Sequence, residues 1–311
     1  MTSRAASIMP RRSQPRTQSA GRVNPERSYA SHREYETGLV SQDAVPACYT
    51  APESVDAWRH DRLLGFVEPL LRCYPKSEWV TVGDGQFGAD AHSLLARGHR
   101  AVATSLTDDS LAIAQGKGWI AEYRAENAEA LSLAGDSFDF VLCKQAYHHF
   151  PRPALAFYEM LRVCRVAAVL IEPIEAPPRP LDVGRTVAKR VLRGDTQAEF
   201  EPLGNFVYRL SVREVFKMMA AVGGPALAVK EFNDCWLPRY GSARSHGSFG
   251  AAVTRLGIWA QDVTTRLRLM NFGLAAFVAF KVDPDAAVRA GLRDSGFRTI
   301  TIPRNPFLTP A

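Results

Sequence analysis

The chain has 311 residues, 46% hydrophobic and 23% charged, an ordinary globular composition able to bury a sizeable core. Its net charge of +6 sits in one place: residues 1–33 carry seven arginines against one acid, Glu26, so the remainder sums to zero. A neutral body gives no electrostatic argument for nucleic-acid binding, which needs clustered surface cations, and five scattered cysteines without CxxC spacing give no support for a disulfide framework or a zinc site.

Residues 1–45 are polar, rich in Arg, Ser and Pro, and without period; the expectation is a disordered basic tail, of a composition shared with organelle transit peptides. The rest, 46–311, reads as one domain, with a core at 78–173 and substrate-lid and closing elements at 174–311. Its apolar runs are far shorter than the ~20 residues that cross a bilayer, so no membrane span is expected and the cytoplasm is the expected compartment.

Ordered structure is predicted from Ser54, with apolar positions at three- and four-residue steps through Leu71, the mark of an amphipathic helix. Short apolar runs follow at Trp79–Val82, Ala101–Thr104, Ile120–Arg124, Phe138–Cys143 and Ala167–Ile171. Helical stretches fall between them at Ala89–Arg97, Asp108–Gln115 and Pro153–Val163. Such alternation calls for a parallel sheet with right-handed crossovers. Beyond a proline cluster at 173–180, a basic helical segment carries Arg185, Lys189, Arg190 and Arg193. Ser211-Val-Arg-Glu214 forms a capping box, Ala226–Phe232 is a sixth strand, Ala251–Met270 a long helix and Gly273–Val282 a seventh strand. Asp283-Pro284 is expected to cap the last helix, before a terminal run at Thr299–Ile302. The expected fold is a doubly wound, Rossmann-like α/β domain with seven mostly parallel strands, helices on both faces and helical lid insertions.

The sharpest feature is Val80-Thr-Val-Gly-Asp-Gly-Gln-Phe-Gly88, a buried strand running into three glycines and then a helix. Glycine suits a tight turn whose backbone must approach a ligand more closely than a Cβ allows, and the helix N-terminus behind it offers free N–H groups. Gly83, Gly85 and Gly88 match the dinucleotide fingerprint literally. That fingerprint expects an acid about 20 residues on, where Ser105 stands.

Later blocks separate the readings: Glu126-Asn-Ala-Glu-Ala-Leu131, Gly135-Asp-Ser-Phe-Asp-Phe-Val-Leu-Cys143, Tyr147-His-His-Phe150, Leu161-Arg-Val163 and Val169-Leu-Ile-Glu-Pro173. In this order they closely resemble the class I S-adenosylmethionine-dependent methyltransferases, most strongly the small-molecule (type 11) group. The resemblance covers residues 79–173 and extends more loosely through Ser211–Phe232 and Phe272–Lys281. It implies S-adenosyl-L-methionine as cofactor, with Gly83, Asp84, Gly85, Gln86 and Gly88 in the glycine loop. It places Ser105 at the ribose, Asn127 and the Ala128 N–H at the adenine, and Lys144 with Gln145 near the methionine end. Two positions depart from the family: Thr81 replaces an acid within the first motif, and Ser105 replaces the ribose carboxylate, which weakens that contact by ~1–2 kcal/mol.

Methyl transfer from a sulfonium is an in-line displacement, so alignment and exclusion of water dominate, worth ~7–11 kcal/mol. A base is required only for a protonated acceptor. His148, His149 and Tyr147 follow the fourth strand, at the sheet edge where α/β ligands bind, and are the candidate catalytic residues; Glu172 lies at the same edge. One histidine at most should face the site, the other packing the loop. The expected activity is methyl transfer to a small molecule such as a sugar or secondary metabolite, with no resident metal and no nucleic-acid partner. Two other readings stay open on sequence alone: a methyltransferase-like partner protein without catalysis, motivated by Thr81 and Ser105, and an NAD(P)-dependent oxidoreductase.

Overall fold

A computed structural model describes residues 25–41, 45–193, 199–201, 205–304 and 306–307. Residues 1–24 of the expected tail lie outside the described residues. Residues 26–41, expected within that tail, instead form a helix.

The chain begins with α1 (Glu26–Ser41), α2 (Ala47–Thr50), α3 (Val55–Leu64) and α4 (Glu68–Cys73). The helix predicted from Ser54 does open there, with the Ser54 hydroxyl accepting from the Ala57 N–H at 3.2 Å. It does not run unbroken to Leu71: Gly65–Val67 tightens into a 3₁₀ turn, and Pro69 restarts a helix in its first turn, where its missing N–H costs nothing.

Next come β1 (Glu78–Val82), α5 (Ala89–Ala96), β2 (Arg100–Ser105), α6 (Asp109–Gly116), β3 (Glu122–Ala125), β4 (Phe138–Lys144), α7 (Pro153–Val163) and β5 (Cys164–Pro173). The remainder comprises α8 (Pro180–Arg193), α9 (Val212–Ala221), β6 (Ala226–Phe232), α10 (Phe249–Arg266), β7 (Leu274–Phe280), α11 (Ala286–Asp294) and β8 (Arg298–Thr301). The predicted capping box at Ser211 is formed in full, whereas Asp285, rather than Asp283-Pro284, caps α11.

The sheet has eight strands, one more than expected, in the order β3-β2-β1-β4-β5-β7-β6-β8. The terminal run adds the eighth by pairing antiparallel with β6. Strands β1 to β5 pair in parallel, because each connection, helical after β1, β2 and β4 and a non-helical loop after β3, carries the chain back to the end at which the strands begin. Strand β7 inserts antiparallel between β5 and β6.

Period-two alternation splits the strand side chains between two cores. Trp79, Ala103, Phe140 and Val169 face α4, α5, α6 and α11, while Val80, Val102, Val141 and Leu170 face α7 and α9. Trp79 stacks on Phe140 at 4.5 Å and donates its indole N–H to Ser77 at 2.8 Å, so its polar atom is paired although the residue is fully buried. Strand order reverses between β1 and β4, which opens a crevice beyond their carboxyl ends.

Candidate functional site

The floor of that crevice is the loop between β1 and α5. Gly83 has φ +77°, and a Cβ there would lie 2.5 Å from the Ala146 Cβ, so no other residue fits. Thr81 donates to the Asp84 carboxylate at 2.9 Å, which also accepts the N–H groups of Asp90 and Ala91 at 3.1 and 2.9 Å. A carboxylate three residues after Thr81 thus ties the loop to the first turn of α5. Burial raises the Asp84 pKa, and the neighbouring Asp90 charge adds to it.

A cavity of about 490 Å³ stands on this floor. Of the residues predicted at the cofactor, Gly83, Asp84, Gly85, Gln86, Ser105, Asn127, Ala128 and Lys144 all line it. Gly88 does not. Its φ is +66° and a Cβ would come within 2.9 Å of Ile120, so this glycine serves the packing of α5 on the sheet instead of touching the cavity. Asn127 turns its Oδ1 to the Glu129 N–H at 3.0 Å and closes the turn after β3.

Lys144 ends β4 as a buried cation, 3.0 Å from Asp90 and 3.2 Å from the His60 ring. Burial pulls its pKa down, but the Asp90 carboxylate outweighs burial and the net shift is upward. His60 moves the other way, to about 3, through burial and then the Lys144 charge, and is therefore neutral.

The histidine turn is organised from beneath by Glu172, fully buried at the end of β5. One carboxylate oxygen accepts the Ala146 and Tyr147 N–H groups at 2.9 and 3.0 Å; the other lies 2.7 Å from His148 Nδ1. Burial lowers the His148 pKa, yet the Glu172 bond and charge more than reverse this and leave it raised. The three predicted catalytic residues consequently separate. His149 lines the cavity, with Nδ1 2.8 Å from Glu201 and the His32 ring edge-on at 5.4 Å. His148 is buried against Glu172 and lies outside the lining. Tyr147 is also outside it, packed edge-on between Phe150 and Tyr208 because the 3₁₀ turn directs it into the core, and its phenol is pushed above its usual pKa by burial. The closest approach to a metal-ligand set among the described residues is His148, His149 and Glu201, with donor atoms within 4.8 Å. Glu172 already takes His148 Nδ1 there.

Residues that the sequence reading missed come from the N-terminus. Helix α1 contributes Tyr29, His32, Tyr35 and Glu36 to the cavity wall. The Tyr29 hydroxyl donates to Glu129 at 2.5 Å, and Arg152 holds the same carboxylate at 2.6 Å. The Glu36 carboxylate accepts from Ser105 Oγ at 2.7 Å and from the Thr107 N–H and hydroxyl at 3.0 and 2.7 Å. The signal available was small: Tyr29, Tyr35 and three glutamates stand out in a stretch that follows an arginine-rich segment. Of the basic helical segment, Arg185 is exposed, and the side chains of Lys189, Arg190 and Arg193 lie outside the described residues.

Residues 80–171 match the model of a methyltransferase domain family. No curated protein matches the sequence. Among solved structures, the Burkholderia thailandensis 1,6-didemethyltoxoflavin-N1-methyltransferase with bound 1,6-didemethyltoxoflavin and S-adenosylhomocysteine is similar at TM-score 0.50 and 14% identity, over 86% of this chain and 94% of that one. The YcgJ protein of Bacillus subtilis is similar at TM-score 0.49 and 20% identity, over 72% of this chain and all of that one. At these identities the likeness is one of fold.

Proposed function

We propose that this chain, which carries a class I methyltransferase domain over residues 80–171, methylates a small-molecule acceptor from S-adenosylmethionine. The observation that carries the reading is the cavity at the β1/β4 crevice, walled by the glycine loop on one side and by the turns after β2, β3 and β4 on the others. Its chemistry fits the cofactor part by part. Gly83 and Gly85 give the cavity a floor of bare backbone, against which the cofactor could lie. Ser105 and its neighbours present polar groups where a ribose would lie, and the Asn127–Ala128 turn presents a backbone N–H to a purine edge. Lys144, a buried cation with Asp90, faces the cavity where an amino-acid carboxylate would be drawn.

When bound, the cofactor supplies a methyl group already activated by sulfonium charge. The chain's own work is to orient the acceptor, exclude water and accept a proton. We assign the proton to His149: Glu201 lies 2.8 Å from Nδ1, and donation of an Nδ1–H to that carboxylate would leave Nε2 to accept. Its neighbour His32 has both ring nitrogens buried without partners, and Asn205, whose Nδ2 lies 3.2 Å from the His149 ring, has an unpartnered Oδ1. Buried polar atoms without partners are rare and here mark the end of the cavity where a polar acceptor group would complete the bonding. His148 and Glu172 position the turn, and Tyr147 contributes packing.

Calorimetry with S-adenosylhomocysteine tests the reading. Wild type should bind with micromolar or better affinity, and Gly85→Val, whose side chain enters the space beside Ser105, should lose at least tenfold while remaining folded. Absence of binding to wild type, or heat from NADH instead, would overturn it.

A further inference from the structure

The end of β2 carries a hydroxyl where nucleotide-binding α/β folds generally place a carboxylate for the ribose. The carboxylate is nevertheless present, delivered from seventy residues away by α1. The Ser105 and Thr107 hydroxyls and the Thr107 N–H all point at Glu36. A Cβ built on Gly85 would fall 2.7 Å from Ser105 Oγ and 2.8 Å from Glu36 Oε1, so these three groups converge at one point of the cavity wall.

We propose that Glu36 is the acceptor for the ribose hydroxyls of the bound nucleoside, making the cofactor site a two-part structure of sheet edge and N-terminal helix. The inference rests on the function proposed above and names a binding residue for it. A carboxylate offers about four lone-pair positions. Thr107 occupies two on Oε2 and Ser105 one on Oε1, which leaves Oε1 a place for a ribose hydroxyl. Ser105 Oγ beside it can meet the second hydroxyl of a vicinal diol. The pair Glu36–Ser105 thereby does what one aspartate would do at position 105, but only while α1 lies over the crevice. The helix is held there by groups from three sheet-edge turns: Glu36 to Ser105 and Thr107, Thr37 to Asp109 at 3.1 Å, and Tyr29 to Glu129 and Arg152. A nucleoside bound there would touch α1 as well as the sheet edge.

The placement also changes what Ser105→Asp should do. In the wild-type background the new carboxylate would face Glu36 and repel it; with Glu36 removed it would replace it.

The test measures S-adenosylhomocysteine affinity by calorimetry in the full-length chain, alongside its 2′-deoxy and 3′-deoxy analogues. Glu36→Ala should bind S-adenosylhomocysteine roughly 10- to 100-fold more weakly, the span of one or two hydrogen bonds to a charged acceptor. Glu36→Ala/Ser105→Asp should recover most of that loss. The two analogues should each bind wild type more weakly than the parent. Whichever lacks the hydroxyl that Glu36 accepts should show little further penalty in Glu36→Ala, because the two changes remove the same bond. Glu36→Gln, which preserves shape, serves if the alanine variant is poorly folded by circular dichroism. Equal binding by wild type and Glu36→Ala overturns the proposal. So does a penalty additive with the mutation for both analogues, which would mean that Glu36 only anchors the helix, and so does tighter binding by the variant, which would mean that Glu36 blocks the site. Failure of wild type to bind at all is a different result and counts against the methyltransferase reading itself.

Discussion

Two regions meet over one cavity and are built by opposite means. The loop after β1 is a floor: Gly83 is locked against Ala146, Gly88 against Ile120, and Asp84 bonds the start of α5 from a buried position. Helix α1 is a roof, attached largely by side-chain hydrogen bonds from Tyr29, Glu36 and Thr37 to the ends of other elements. The floor contributes to global stability because its contacts are apolar, close and inaccessible to water. The roof depends more on polar bonds that water can replace, although Tyr29 is buried and Val40 packs against the core.

The largest expected effect breaks the floor. Gly83→Val must place a branched side chain at φ +77° and within 2.5 Å of Ala146, which combines backbone strain with overpacking and costs about 3 kcal/mol or more. Thermal unfolding should show a large fall in midpoint or an unfolded chain. A variant as stable as wild type would show that the loop is as adaptable as the roof.

A smaller effect concerns the support beneath the histidine turn. His148 has its pKa raised by Glu172 in spite of burial. The pair therefore contributes stability that is fully present below the unfolded histidine pKa of about 6.5 and is lost as pH rises through the raised folded value. Melting midpoints of wild type between pH 6 and 9 should include a decline that Glu172→Gln lacks, because the amide can still accept the Ala146 and Tyr147 N–H groups but offers no charge to His148. An identical pH profile in the two proteins would remove Glu172 as the cause.

The floor was legible in the sequence and the roof was not, for a physical reason. A strand that ends in Gly83-Asp-Gly85 and restarts as a helix writes its constraints into neighbouring positions, and short apolar runs in β1, β4 and β5, alternating with helical stretches, mark strands buried on both faces. The fold class followed from that alternation; the eighth strand did not, because Arg298–Thr301 is a short edge strand whose side chains stay largely exposed. Helix α1 has a weak apolar stripe and an arginine-rich neighbourhood, so nothing local distinguishes it from a solvated tail. Its order comes from partners such as Ser105, Asp109 and Glu129, far along the chain. The same holds for His149 and Tyr147: two positions apart in sequence, they part because Glu172, far downstream at the end of β5, holds the turn that sends one to the cavity and the other to the core.

The smallest effect sharpens the contrast most. Thr37→Ala deletes one exposed bond, from the Thr37 hydroxyl to Asp109, and should change global stability by no more than about 0.5 kcal/mol. If α1 opens as its own unit, amide hydrogen exchange in residues 26–41 should accelerate while protection in β1 and β4 stays as it was. If α1 is released only when the sheet unfolds, exchange in all three segments would shift together, and by no more than the change in global stability. That second pattern would make roof and floor one cooperative block.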